Sequence, residues 1–167
     1  MAKVTFAGNP VELKGTLPQV GAPAPEFTAL NNDLTDFHLS DLKGKVLIIS
    51  VVPSLDTGVC SLQTRHFNED ANDLGDGVRV LTLSMDLPFA QKRFCAAEGL
   101  ERVITLSDHR TGEFGEKYGF LMEGLRLHAR GVIVVDKEGI VRYVEQVPEV
   151  THEVNFDAAL AAAKALL

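Results

Sequence analysis

The sequence predicts an α/β fold in which a mixed central sheet is flanked by helices on both faces, with a β-hairpin ahead of it. Three observations carry this. The run Val46-Leu47-Ile48-Ile49-Ser50-Val51-Val52 is apolar and β-branched at successive positions, the pattern of a strand buried on both faces. A second such run, Val78 to Ser84, follows after a helical stretch, and strands that alternate with helices build parallel sheets. Near the C-terminus, Gly131 to Asp136 and Ile140 to Glu145 are separated only by Lys137-Glu138-Gly139, which predicts an antiparallel hairpin and makes the sheet mixed.

In chain order, Val4 to Phe6 and Val11 to Leu13 flank the turn-forming Ala7-Gly8-Asn9-Pro10 and form the N-terminal hairpin. Residues 15–25 are rich in proline and glycine and read as an extended surface connection. Phe27 to Leu30 and Phe37 to Leu39 read as short strands, and Leu42-Lys43-Gly44-Lys45 as a turn into the central strand. A helix comes next, with Val59, Leu62, His66/Phe67 and Leu74 as its apolar stripe and Gly75-Asp76-Gly77 as its stop.

After the strand Val78 to Ser84, Asp86-Leu87-Pro88 starts a helix with proline suited to its first turn, and Gly99 terminates it. Val103 to Leu106 reads as a strand and Gly112 to Tyr118 as a short helix ending at Gly119. Beyond the hairpin, Asn155 caps a closing helix whose Phe156, Ala159, Leu160, Ala163 and Leu167 form a stripe toward the sheet. No repeat or linker divides the chain, so 1–167 is expected to be a single domain.

Composition narrows the function classes. With 16 basic and 23 acidic residues the net charge is -7, and no basic patch with interleaved aromatics is present, which argues against nucleic-acid binding. The longest apolar run is far too short to span a bilayer, and Met1 to Pro10 lacks the apolar core of a secretory signal, so no membrane association and a cytoplasmic location are expected. In a reducing compartment the two cysteines, Cys60 and Cys95, are free, metal-bound or redox-cycling rather than a permanent brace. Two thiols without a compact His/Cys cluster make a poor zinc site, and His38, His66, His109, His128 and His152 show no ligand spacing; no metal or cofactor is implied.

The chemistry concentrates at Pro53-Ser54-Leu55-Asp56-Thr57-Gly58-Val59-Cys60, directly after the central strand. This order delivers a thiol into the first turn of a helix, where free backbone amides and the helix dipole favour an anion, and the thiolate is the nucleophile. Asp56 or Thr57 can cap the helix, and Thr57 can bring its hydroxyl within reach of the sulfur. Pro53 has no N–H to donate, so it ends the strand ladder. The plain alternatives are a core cysteine at 60, a cap at 57 and a strand stopper at 53.

Thr57-x-x-Cys60 sits where a thioredoxin-like fold would place a Cys-x-x-Cys pair. Pro53, Thr57 and Cys60 reproduce the Pro-x-x-x-Thr-x-x-Cys signature of peroxiredoxins, and the full Pro53 to Cys60 wording resembles the thiol peroxidase branch of that family, of the atypical two-cysteine kind. The segment Asp86 to Leu100 resembles the one that carries the resolving cysteine, here Cys95, and Ala129 to Asp136 resembles the one that points an arginine, here Arg130, at the reactive thiol. From the residues alone, Cys95 reads equally as a small hydrophobe beside Phe94, and Arg130 as a solvated surface charge.

The resemblance implies a thioredoxin-like fold and reduction of hydrogen peroxide or organic hydroperoxides. Cys60 would become a sulfenic acid, stabilised by Thr57, Arg130 and local amides and shielded by Pro53, and Cys95 of the same chain would condense with it. Thioredoxin would reduce the disulfide, and the chain would work as a homodimer. As a static brace, the same disulfide would close a loop of about 35 residues, worth roughly 3 to 4 kcal/mol. Cysteines on separate helices that must reach disulfide distance imply local unwinding around Cys60 and Cys95 on oxidation. The rival classes are a redox sensor that favours mixed disulfides, a binding module with inert cysteines and, weakest, a Cys/His hydrolase, since no histidine falls near the start of the Cys60 helix.

Overall fold

The computed structural model describes residues 3–101 and 103–167, with the side chains of residues 71 and 72 also outside the description. The strands are β1 (Lys3–Phe6), β2 (Asn9–Lys14), β3 (Thr28–Leu30), β4 (Asp36–His38), β5 (Val46–Val51), β6 (Val78–Ser84), β7 (Val103–Ser107), β8 (Leu121–Met122), β9 (Leu127–His128), β10 (Gly131–Val135) and β11 (Val141–Gln146). The helices are α1 (Gly58–Leu74), α2 (Pro88–Glu98), α3 (Glu113–Tyr118) and α4 (Phe156–Lys164).

The main sheet has the order β11-β10-β5-β6-β7-β3-β4. β5, β6 and β7 pair in parallel, and the remaining pairs in this sheet are antiparallel, so it is mixed as the sequence predicts. β5 is buried at all six positions because strands lie on both its edges and side-chain layers on both its faces. Leu47, Ile49 and Val51 face one core with Leu81, Leu83, Ile133, Phe114 and Tyr118, under α3 and the N-terminal hairpin. Val46 and Ile48 face the other with Val80, Val132, Phe67, Ala159 and Ala163, under α1 and α4. Each such branched side chain contributes about 1.5–3 kcal/mol by leaving water.

The helix boundaries follow local chemistry. Thr57 caps α1 by accepting from Cys60 N at 3.3 Å, and Asn155 caps α4 by accepting from Ala158 N at 3.0 Å. Pro88 opens α2, where its missing N–H costs no helical bond, and Gly99 closes it at φ 65°, a left-handed turn that suits glycine.

The expected N-terminal hairpin is present and gains two short strands, and two other expectations are corrected. Leu121–Met122 and Leu127–His128 extend the N-terminal hairpin into a second sheet, β1-β2-β8-β9, and strands of two residues carry no periodicity to read. Leu39 opens a 3-10 turn over Leu39–Leu42 instead of ending a strand, because the Asp41 carboxylate accepts from His38 N at 2.9 Å. Leu167 lies beyond the end of α4 and is 51% exposed, so it does not complete that helix's buried stripe.

Candidate functional site

The register of β10 against β5 pairs Gly131 with Val51, which sets Arg130 just past the ladder, level with the point where the chain leaves β5 toward Pro53. Val52 still donates to Leu83 O at 3.1 Å; Pro53, buried and without an N–H, ends the pairing. The loop then folds on itself, with Thr57 N donating to Ser54 O at 3.4 Å and Asp56 N to Ser54 Oγ at 3.1 Å. Thr57, not the exposed Asp56, is the cap. Its hydroxyl accepts from the amide of Cys60 and donates to Ser54 O at 3.4 Å, so its bonds run to backbone groups rather than to the sulfur.

Cys60 and Arg130 meet in the interior. Arg130 Nη2 donates to Cys60 Sγ at 3.1 Å, Nη1 donates to Gln63 Oε1 at 3.0 Å, and Nε donates to Val150 O at 2.7 Å. Arg130 is 2% exposed and Cys60 is 0% exposed. Among the described residues no carboxylate forms an ion pair with this guanidinium. A buried cation held only by neutral acceptors is poorly compensated, and the sulfur is the one partner that can answer it with a charge. Arg130 is therefore a built part of the interior, not a solvated surface arginine.

The buried face of α1 carries Cys60, Gln63, Thr64, Phe67 and Asn68, one position round from the stripe expected through Val59 and Leu62; Leu62 is 42% exposed. Hydropathy misplaced the face because three of its residues are polar. Gln63 belongs inside because Nε2 donates to Ser50 Oγ at 2.7 Å while Oε1 receives Arg130, and Thr64 Oγ1 donates to Cys60 O at 2.9 Å. Gln63 lies one turn after Cys60, a spacing that could have pointed to it.

The sulfur is more enclosed than the partly open setting expected of a reactive thiol. Val52, Leu55 and Cys60 form a small apolar cluster, and Phe94 of α2 packs over it, half-buried. Thus α2 offers Phe94 to the Cys60 cluster and turns Cys95 toward Thr105. Cys95 Sγ lies 3.6 Å from Thr105 Oγ1, which in turn donates to Asn32 Oδ1 at 3.0 Å. Burial pushes the Cys95 thiol pKa up, and the Thr105 hydroxyl partly offsets this. Ser50, Thr82 and Thr105 lie in register across β5, β6 and β7, so Thr105, the partner of Cys95, and Ser50, which holds Gln63 beside Arg130, are two strand spacings apart, about 10 Å. Both cysteines are free.

Two further carboxylates hold the site; the sequence placed Asp86 only at the start of a helix and gave Glu149 no role. Asp86 accepts from Ser54 Oγ, Leu55 N and Ser84 Oγ at 2.7–2.8 Å, tying the Pro53–Thr57 loop to the start of α2. Glu149 accepts from Gly8 N, Thr5 Oγ1, Thr151 N and Thr151 Oγ1 at 2.7–2.8 Å, fixing the segment that presents Val150 O to Arg130. His66 is paired with Asp70 at 3.1 Å and stacked on Phe156, which leaves a Cys/His dyad without its histidine. His128 is buried against Asp108 at 2.8 Å, and Asp108 also accepts from Phe114 N and Gly115 N at the start of α3. Among the described residues no three His, Cys, Asp or Glu side chains converge as a metal-binding group, and no helix is long and apolar enough to cross a membrane.

The redoxin family profile matches residues 19–160. The chain is 57% identical over 160 residues to a thiol peroxidase of Oceanobacillus iheyensis, covering 96% of this chain and 97% of that one. It is also 57% identical over 167 residues to a thiol peroxidase of Halalkalibacterium halodurans, each chain covered in full. The crystal structure of a peroxiredoxin-like protein from Aquifex aeolicus superposes with a TM-score of 0.92 at 43% identity, over 100% of this chain and 98% of that one.

Proposed function

This chain belongs to the redoxin family and within it to the thiol peroxidases, and we propose that its peroxide chemistry runs through Cys60 and is completed by Cys95. It is a thiol-dependent peroxidase with a thioredoxin-like fold. The observation that carries the assignment of residues is the 3.1 Å contact between Arg130 Nη2 and Cys60 Sγ inside the protein.

The Cys60 thiolate attacks the terminal oxygen of a hydroperoxide. An S–O bond forms, the O–O bond breaks, and the departing oxygen takes up a proton to leave as water or an alcohol. Arg130 holds the thiolate and then the charge that grows on the departing oxygen, joined by the amides at the start of α1. Thr57 keeps that turn wound, and Pro53 shields the sulfur. Phe94, half-buried, packs against the Val52, Leu55 and Cys60 cluster beside the reacting sulfur.

Cys95 then gives up its proton and attacks the Cys60 sulfenic acid. The S–S bond forms, the S–O bond breaks, and hydroxide leaves as water. A dithiol reductant, thioredoxin, restores both thiols by exchange. Because the sulfurs start in separate environments on α1 and α2, this step needs local unwinding of one or both helices. We further read the chain as one domain over 1–167 and as a cytoplasmic homodimer, for which the exposed Leu87 and Phe89 at the start of α2 offer an apolar surface.

Peroxide consumption by wild type, Cys60→Ser and Cys95→Ser with thioredoxin supplied tests the assignment. Cys60→Ser is expected to lose the first turnover. Cys95→Ser keeps one turnover and loses thioredoxin-dependent recycling. Multiple turnovers by Cys60→Ser would overturn the role of Cys60, and normal recycling by Cys95→Ser that of Cys95.

A further inference from the structure

The Asp86 carboxylate joins two parts of the molecule that the peroxidase cycle has to separate. On one side it is fixed to the scaffold: Oδ2 accepts from Ser84 Oγ at 2.8 Å, Asp86 N donates to Ser84 Oγ at 3.3 Å, and the Asp86 carbonyl accepts from Ser107 Oγ. Two residues later Pro88 begins α2, the helix that carries Cys95. On the other side the carboxylate reaches the loop ahead of Cys60, accepting from Ser54 Oγ at 2.7 Å and from Leu55 N at 2.8 Å. Hydrogen bonds to an ionised carboxylate are among the stronger ones in a protein, and here several converge on one half-buried side chain.

We propose that Asp86 is a positioning residue that latches the Cys60 loop in its wound, peroxide-ready form, and that release of this latch sets how fast a Cys60 sulfenic acid is captured by Cys95. The inference rests on the reading of Cys60 and Cys95 given above. Moving Cys60 toward α2 unwinds the first turn of α1 and drags Leu55 and Ser54 with it, and both are held by Asp86 until the move occurs. While the latch is closed the sulfenic acid stays beside Arg130, where a second hydroperoxide can react with it as the first did. That reaction adds a second oxygen to sulfur, breaks another O–O bond and yields a sulfinic acid plus water or alcohol, which stalls the enzyme. The latch therefore sets the division between productive disulfide and sulfinic acid.

Asp86→Asn keeps the shape and removes the charge and part of the acceptor capacity. Ser54→Ala removes one donor to the same carboxylate, together with the acceptor of Asp56 N. After one equivalent of hydrogen peroxide, rapid quenching, thiol alkylation and mass spectrometry follow the sulfenic acid, the Cys60–Cys95 disulfide and, in excess peroxide, the sulfinic acid. Asp86→Asn is expected to form the disulfide on the order of tenfold faster, with several-fold less sulfinic acid at a given peroxide concentration. Ser54→Ala is expected to shift both in the same direction by less, and the double variant to fall short of the sum of the two single changes, as groups that share a bond do.

An unchanged or slower disulfide step in Asp86→Asn overturns the latch while leaving the roles of the two cysteines intact. If Asp86→Asn does not fold, Ser54→Ala decides, and a wild-type disulfide rate with wild-type sulfinic acid in that variant overturns the proposal. Failure of the wild-type protein itself to form the Cys60–Cys95 disulfide would overturn the latch together with the assignment on which it rests.

Discussion

Arg130 Nη2 stands 3.1 Å from Cys60 Sγ, and the remaining bonds of that guanidinium, to Gln63 Oε1 and Val150 O, go to neutral acceptors. The geometry is a socket. Gln63 and Val150 fix the plane of the fork, and the third direction points at the sulfur.

A lysine cannot reproduce that fork, even though it keeps the charge. Arg130→Lys is expected to lower kcat/KM for hydrogen peroxide by about 10²-fold, the cost typical of losing one preorganised donor at a developing oxyanion. Gln63→Leu leaves the arginine in place but unsteered and is expected to cost about tenfold. Steady-state peroxide consumption measures both, and wild-type values in Arg130→Lys would remove the fork from the mechanism.

Thr57 acts through the backbone of Cys60, so its loss should be felt in folding as well as in rate. Thr57→Val is expected to cost about 1 kcal/mol in denaturant unfolding, with Thr57→Ser near wild type. A Thr57→Ser protein that is as unstable as Thr57→Val would mean that the methyl group, not the hydroxyl, matters there.

Burial raises the pKa of the Cys95 thiol, with Thr105 pulling the other way. In the proposed cycle, where Cys95 attacks as a thiolate, disulfide formation should accelerate as pH rises toward this raised value. Thr105→Val removes the lowering contribution, so the pH profile of the disulfide step, read by quenched alkylation, should move further alkaline. A profile unmoved by Thr105→Val would take that hydroxyl out of the step.

A Cβ on Gly131 would lie 2.2 Å from Glu145 O and 2.7 Å from the Phe120 ring. Neither neighbour can retreat easily, since β11 is paired there through Gly131 and Gln146. Gly131→Ala is expected to cost about 3 kcal/mol in denaturant unfolding and to displace Arg130 from Cys60, lowering peroxide turnover alongside stability. Unfolding at the wild-type midpoint would show that β10 shifts freely, against this packing.

The pKa of Glu149 is lowered well below the usual carboxylate range, first by the Thr151 amide and hydroxyl, then by Gly8 N and Thr5 Oγ1. A depressed folded-state pKa gives stability that is present above the unfolded value, near 4.5 for this group, and lost as pH falls through the folded one. Acidification below about pH 4.5 should therefore loosen the hairpin contact with residues 147–151. Amide exchange at Gly8 and Thr151 should rise there in wild type, and Glu149→Gln should show the faster exchange already at neutral pH. Equal protection in the two proteins at neutral pH would dismiss the clamp.

Much of this was legible in the residues. The β-branched run at Val46 to Val52, the stop at Pro53 and the cap three residues before Cys60 each obey local rules, so strand, loop and helix could be placed without knowing their neighbours. The buried face of α1 could not be read in the same way. Gln63 looks like a surface residue until Ser50 and Arg130 are brought to it.

The sequence by itself determined the alternation of strand and helix and the delivery of a thiol to a helix start, because both depend on side chains a few positions apart. Only the tertiary structure decided which groups surround that thiol and which hold the loop before it. Arg130, Val150 and Asp86 come from distant parts of the chain, and their meeting depends on a strand register and a sheet order that local patterns do not encode. It also turned Cys95 toward Thr105 and Phe94 toward Cys60, a choice set by the rotation of α2 against the sheet.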